Sequence, residues 1–134
     1  MWHGLWQAYL AFYETSVTED VYQTTFRRLT SNEPNEFSGM LAVNEKNEAV
    51  GLVHYLFHRH AWKVENVCYL QDLFADESTR GTGVGRALIE AVYDEADKAG
   101  APSVYWLTQE FNHTARNLYD RIGKLTPFIR YQRG

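Results

Sequence analysis

The sequence predicts an α/β domain in which antiparallel hairpins come first and a βαβ unit follows. Three observations carry this. The first 29 residues show apolar positions at helical spacing. Residues 39 to 75 contain three β-rich runs. A glycine-rich turn after Ala75 then leads into a long amphipathic helix with another β-rich run behind it.

The elements follow in order. Trp2, Leu5, Trp6, Tyr9, Leu10 and Tyr13 fall on one helical face and predict a first helix. Thr18 with Glu19 and Asp20 marks the start of a second, running toward Leu29. Ser31 to Glu36 is polar, contains Pro34 and predicts a loop. Gly39 to Val43 and Val50 to Phe57 predict strands joined by a polar turn at Asn44 to Glu48, and Val64 to Ala75 predicts a third, longer strand. The next helix runs from Val84 to Ala99, with Val84, Ala87, Leu88, Ala91, Val92 and Ala96 on one face. Gly100 suits its C-terminal cap, and Pro102 prevents continuation. Ser103 to Leu107 is β-rich. A last helix starts after Asn112 with Ala115, Leu118, Tyr119 and Ile122 at helical spacing, and Pro127 to Tyr131 predicts a closing strand.

With 134 residues the chain is expected to form one domain, 1–134. At 45% hydrophobic and 22% charged residues it has the profile of a soluble globular protein and not of a disordered one. A single cysteine, Cys68, excludes an internal disulfide framework and suits a reducing, cytoplasmic compartment. No apolar run approaches the roughly 20 residues needed to cross a bilayer, and the first ten residues lack the pattern of a signal peptide. A net charge of −4 argues against general nucleic-acid binding and favours a cationic or small-molecule partner.

The chemistry concentrates in Arg80-Gly81-Thr82-Gly83-Val84-Gly85-Arg86, which joins a strand to a helix. Glycines let the backbone take conformations a β-carbon forbids and let an anion approach closely. The helix start adds unpaired N–H groups and the positive end of the dipole, so the turn predicts a diphosphate cradle. The dinucleotide fingerprint fails because Arg86 stands where its third glycine belongs. The P-loop fails because no Lys-Ser or Lys-Thr follows.

What fits is [RQ]-x-x-G-x-[GA], with Arg80, Gly83 and Gly85 in register, and a second motif, N-x-x-A-x-x-L-Y, with Asn112, Ala115, Leu118 and Tyr119. Together they resemble the GCN5-related N-acetyltransferase (GNAT) family. The stretches Val92 to Lys98 and Pro102 to Trp106 resemble its yeast histone and polyamine acetyltransferase branch. The resemblance covers nearly the whole chain and is densest from Tyr69 to Tyr131. It implies a central, mostly antiparallel mixed sheet flanked by helices, and acetyl-CoA as co-substrate. It further implies that the turn from Arg80 to Arg86 holds the pyrophosphate, that Asn112 contacts the coenzyme, and that backbone groups of Leu73, Phe74 and Ala75 pair with pantetheine. Tyr119 is implied to contact the coenzyme and act as general acid. The family opens with a strand before the first helix. This chain starts inside that helix, so an edge strand is expected to be missing or the start truncated.

Amine acetylation sets chemical demands. An alkyl amine is protonated at neutral pH; only about one molecule in two thousand is free, a deficit of about 4.6 kcal/mol, so a base or a water chain must take a proton. The oxyanion needs a donor, for which a strand N–H near Leu73 is placed. Related diamine acetyltransferases carry a glutamate where this chain has Gln71, and an amide cannot serve as that base. Asp72, Glu65, His54 or water held by them are the substitutes. Asp72 is the catalytic candidate, although the strand pleat alone aims it and Gln71 at opposite faces.

Other residues read more plainly. His54, His58 and His60 share one parity, but no carboxylate or cysteine spacing completes a zinc site, and no metal is expected. Cys68 reads as a buried strand cysteine. Trp2, Trp6, Tyr9 and Tyr13 read as core, and the resemblance implies that the first helix also borders the acceptor pocket, where one or two of them would contact substrate. Glu14, Glu19 and Asp20 read as solvated surface or as an attraction for a cationic amine. The expectation is a GNAT-fold N-acetyltransferase acting on a polyamine-like or amino-acid-like small amine, or on a protein lysine. The alternative is a non-catalytic acyl-CoA-binding module. The missing first strand and the apolar run after Lys124 leave sheet edges to cover, and the resemblance implies dimerisation through C-terminal strands, so a homodimer built partly from residues after Lys124 is expected.

Overall fold

The computed structural model describes residues 1–79 and 81–134; Arg80 lies outside them. Helices α1 (Trp2–Phe12) and α2 (Glu19–Leu29) are followed by strands β1 (Ser38–Val43), β2 (Ala49–His58) and β3 (Val67–Ala75). A single 3-10 turn (Glu77–Thr79), helix α3 (Val84–Lys98), the short strand β4 (Val104–Tyr105) and helix α4 (His113–Ile122) complete the order. In α2, Glu19 and Asp20 sit in the first turn and Arg27 and Arg28 in the last, where each sign opposes the helix dipole. The β1–β2 turn is set by Asn44, whose side-chain oxygen accepts the N–H groups of Lys46 at 3.0 Å and Glu48 at 2.9 Å.

The sheet order is β1-β2-β3-β4, antiparallel between the first three strands and parallel between β3 and β4. This is the mixed, mostly antiparallel sheet expected, with helices on both faces. One face packs Val53, Tyr55, Cys68 and Leu70 against Leu88, Ile89, Val92 and Ala96 of α3. The other packs Leu52 and Phe74 against Leu5 and Trp6 of α1 and Tyr22 of α2. β2 is the centre of the molecule; Leu52 and Val53 are fully buried, one on each face. A β-carbon on Gly51 would meet Val84 Cγ1 at 2.8 Å and Leu88 Cδ1 at 3.0 Å. The bare glycine therefore lets the first turn of α3 sit down on β2, beside the carboxyl end of β3.

A β-bulge in β3 decides which side chains face which helices. His54 pairs with Asp72 and Tyr55 with Leu70, leaving Gln71 as the extra residue. Cys68 and Leu70 face α3, and beyond the bulge so does Leu73. Asp72 and Phe74 are thereby turned toward α1. Without the extra residue, the two-residue pleat would put Asp72 on the α3 face with Leu70.

Several expected elements differ in extent. The third strand begins at Val67, not Val64, because β2 and β3 close at His58 opposite Val67 and residues 59–66 make the connection, where Val64 is 93% exposed. The β-rich run Ser103 to Leu107 forms only the two-residue β4. On α3 the buried stripe contains Ile89 and leaves Ala87 exposed. The closing strand expected at Pro127 to Tyr131 does not form: residues 124–134 have no regular structure. β4 offers too short an edge for it, and Phe128, Ile129 and Tyr131 lie open to solvent. Among the described residues no strand precedes α1, and β1 is the sheet's edge. No helix among them is long and apolar enough to cross a membrane.

Candidate active site

A cavity of about 450 Å³ lies where the carboxyl end of β3, the start of α3, the face of α4 and the second half of α1 meet. One end is built of backbone. Gly83 is the N-cap of α3 with φ +84°, and Gly81 has φ +79°. A β-carbon on either would meet no atom within 4 Å, so the space over this backbone is open. No side chain caps α3 and no acid stands in its first turn. The unpaired N–H groups and the positive end of the dipole are therefore left for an anion. Gly81, Gly83, Val84, Gly85 and Arg86 all lie on the cavity wall, and the Arg86 Nε also donates to Glu90 at 2.8 Å. This set fits a diphosphate. Thr82 is not on the wall; its hydroxyl donates to the Thr79 carbonyl and braces the turn.

The middle of the cavity is formed by β3 and α4. Leu73, Phe74 and Ala75 line it. β3 pairs with β4 only at Cys68 and Tyr69, so past Tyr69 the edge of β3 turned toward β4 has no strand partner among the described residues. An extended ligand can add there as a strand would. Asn112 lines the wall and caps α4, its side-chain oxygen accepting the Ala115 N–H at 3.4 Å. α4 is held in place by the Tyr93 hydroxyl, which donates to the Ile122 carbonyl at 2.7 Å, and by Leu118, 3.4 Å from where a Gly85 β-carbon would lie. Tyr119 lines the cavity with the Trp106 ring beside it at 5.5 Å. Burial, with Tyr13 adding to it, pushes the Tyr119 hydroxyl up to about 12. It carries its proton at neutral pH and is a competent donor.

The third region is aromatic and acidic. Tyr9, Phe12 and Tyr13 of α1 form the wall. Behind this wall lies Asp72, which accepts a hydrogen bond from His54 Nδ1 at 2.9 Å. The other nitrogen of His54, Nε2, accepts the indole N–H of Trp2 at 2.8 Å. Burial above all, then the charge of Asp72, raises the Tyr9 hydroxyl far beyond the ordinary phenol range. Tyr13 is raised by burial and by Asp72.

The remaining sequence candidates fall elsewhere. Arg80 lies outside the described residues. Glu65 sits in the 59–66 connection at the far end of β3, with Lys63 at 3.9 Å. Gln71 is exposed on the bulge. His58 bonds Tyr105 at 2.7 Å while His60 accepts the Trp62 N–H, so the three histidines are separated. Among the described residues no three metal-ligating side chains cluster. Cys68 is fully buried, and burial raises its thiol to about 11, which makes it a poor nucleophile. The motifs did not mark Thr114 and Arg121, which share the cavity wall with Leu118. Their i, i+4, i+7 spacing is the signal that would have found them.

A model of the Acetyltransferase (GNAT) family matches residues 2–123. Over 132 residues the chain is 39% identical to D-amino-acid N-acetyltransferase HPA3 of Saccharomyces cerevisiae, covering 98% of this chain and 82% of that one. It is 31% identical over 74 residues to thialysine N-epsilon-acetyltransferase of Bos taurus, covering 55% of this chain and 43% of that relative. Among solved structures it resembles AAC(6')-Iy in complex with a CoA-containing bisubstrate analog, with a TM-score of 0.84, 17% identity, and 99% and 88% of the two chains covered.

Proposed function

The chain belongs to the acetyltransferase (GNAT) family, and from that premise we propose that it transfers the acetyl group of acetyl-CoA directly to the primary amine of a small, amino-acid-like or polyamine-like acceptor. The observation that carries this is the arrangement around one cavity: an uncapped helix start open to a diphosphate, a protonated tyrosine at its middle, and a carboxylate behind its aromatic end. The relative with the longer match is a D-amino-acid acetyltransferase and the shorter match is a thialysine acetyltransferase. Both names favour an amino-acid-like acceptor over a histone tail.

Acetyl-CoA supplies an acetyl group activated as a thioester. The N–H groups at the start of α3, with Arg80 and Arg86, hold the diphosphate. The Thr82 hydroxyl braces that loop. Leu73, Phe74 and Ala75 offer backbone groups to the pantetheine arm, and Asn112 contacts it from α4. A strand N–H near Leu73 steadies the oxyanion. Asp72 receives the proton that an ammonium must lose before it can attack. Tyr119 gives a proton to the departing thiolate and recovers one from the new amide nitrogen. The lone cysteine, buried and reduced, supports a cytoplasmic setting.

The test is a screen for free thiol released from acetyl-CoA in the presence of D- and L-amino acids, polyamines, thialysine and histone peptides. Turnover is expected on small amines and not on peptides. Coenzyme binding without turnover on any amine would leave the non-catalytic acyl-CoA-binding module as the answer.

We also propose a homodimer that uses residues after Lys124. Leu125, Phe128, Ile129 and Tyr131 are 72–89% exposed, and the first three share a surface cavity with Val104 and Tyr105 of β4. A second copy offers the strand partner that this copy lacks. Light scattering at micromolar concentration should give twice the chain mass, and deletion of residues 125–134 should give the monomer. A monomeric full chain, or a dimer untouched by the deletion, would defeat this.

A further inference from the structure

His54 lies in the middle of β2 and is 4% exposed. The rings of Trp2, Trp6 and Phe37 surround it, at 6.0, 5.6 and 6.4 Å between centroids. Its cross-strand partner on β1 is Gly39, where a β-carbon would meet the imidazole Cδ2 at 3.3 Å, so the bare glycine makes room for the ring. On β3 the bulge sets Asp72 opposite it. A polar group buried in this way needs a partner for each of its atoms, and His54 has both. The Trp2 indole N–H donates to Nε2 at 2.8 Å, and Nδ1 meets Asp72 Oδ2 at 2.9 Å.

These partners fix its form. An indole N–H can only donate, so Nε2 bears no proton and Nδ1 carries the one given to Asp72. His54 is therefore an uncharged donor, and its contact with Asp72 is a hydrogen bond to a carboxylate and not an ion pair. A second proton would have to go on Nε2, where it would face the Trp2 N–H. Asp72 thus keeps its negative charge, which acts on Tyr9 and Tyr13 of α1.

Resting on the acetyl-transfer reading above, we propose that His54 and Trp2 are positioning residues for Asp72. His54 aims the carboxylate. Trp2, by holding His54 uncharged, preserves the charge that draws in the acceptor ammonium and takes its proton. An imidazolium at 2.9 Å would cancel that charge. The step balances: an N–H bond of the ammonium breaks as an O–H bond forms on Asp72, one positive and one negative charge disappear, and no electron is transferred. The Asp72 side chain is 13% exposed and can return the proton to water. The other titratable groups facing the pair are Tyr9 and Tyr13 on α1 and, from α2, Tyr22, whose ring contacts Trp2 and Trp6; β1 faces it with Gly39.

The first test needs no variant enzyme activity. The nitrogen-15 spectrum of the histidine-labelled wild type at neutral pH should show one imidazole protonated on Nδ1 and bare on Nε2, and His54→Asn should remove that signal. The second is Trp2→Phe, which keeps a ring against Trp6 and removes the indole N–H. His54 can then take a second proton as pH falls through the ordinary histidine range near about 6.5. The ratio of variant to wild-type kcat/KM on an alkyl amine should therefore fall as pH drops through that range and recover above it; the ionisation of the amine itself cancels in the ratio. The double variant Trp2→Phe/His54→Asn has no imidazole to titrate and should lose this dependence. His54→Phe should lower kcat/KM by about 10-fold or more, the loss of one hydrogen bond to a charged group. His54→Asn keeps a donor near the Nδ1 position and should regain part of the rate. Calorimetric coenzyme affinity should match the wild type throughout. A His54 signal protonated on Nε2, a flat ratio in Trp2→Phe, or a pH dependence that persists in the double variant would overturn the proposal while leaving acetyl transfer intact. A wild type inert toward every amine would overturn the transfer reading and the role given to this pair with it.

Discussion

Tyr119→Phe is expected to lower kcat by about 10²–10⁴-fold, or about 2.7–5.4 kcal/mol of transition-state stabilisation, with coenzyme affinity nearly unchanged. The substitution removes one oxygen from a ring that packs against Trp106 and belongs to the α3-side core. The ring contacts survive, so α4 should stay in place, anchored independently by the bond from Tyr93 to Ile122. What is lost is a proton donor at the place where a thiolate would depart. Because burial raises this hydroxyl to about 12, it stays protonated through the neutral and mildly alkaline range. The wild-type rate should show no alkaline loss attributable to Tyr119 until the pH nears that value. Steady-state rates give the first measurement and calorimetry with coenzyme the second. If single-turnover kinetics show a rate-limiting chemical step that is unchanged in Tyr119→Phe, the residue does not hold the general-acid role.

The parts of this site legible in the sequence are those whose chemistry is local. Glycines at 81, 83 and 85 before an amphipathic run declare an open helix start, because only residues without a β-carbon occupy such backbone cheaply. Asn112 and Tyr119 are two turns apart on one short helix, so spacing alone puts both toward the same ligand. The aromatic stripe of α1 was also legible as a face, and the structure divides it: Trp2 and Trp6 go to the core, Tyr9 and Tyr13 to the cavity wall. The orientation of Asp72 was not legible. It depends on a register slip between β2 and β3, and pairing register is a property of two strands that no run of residues along one strand encodes. Nor was the bond between Trp2 and His54, which are 52 residues apart. The failed expectation at Pro127 to Tyr131 has the same origin. Those residues alternate well enough for a strand, but a strand also needs an edge to pair with, and β4 supplies only two residues of one.

Gly83→Val should weaken coenzyme binding by about 10- to 150-fold, the loss of one charge-assisted hydrogen bond of about 1.5–3 kcal/mol, while the protein still folds. The position imposes two separate demands. Its φ of +84° is left-handed, a conformation that costs an L-residue roughly 1–2 kcal/mol, and more with a β-branched side chain. That strain lowers stability whatever the position does. The second demand is space. No atom lies within 4 Å of the β-carbon site, so the added side chain meets no protein and instead occupies the volume over the uncapped N–H groups of α3. Gly100 separates the two effects. It follows the same helix at its other end, has φ +69°, and likewise has nothing within 4 Å of its β-carbon site. Gly100→Val should therefore lose a similar amount of stability in thermal unfolding and keep full affinity for coenzyme A by calorimetry. Gly83→Ala, with the strain but little bulk, should fall between the two in affinity. Gly83→Val that unfolds as Gly100→Val does yet binds coenzyme as tightly as wild type would remove the start of α3 from the diphosphate site. The anion would then have to be held by side chains such as Arg86 and Arg121, whose removal would become the decisive measurement.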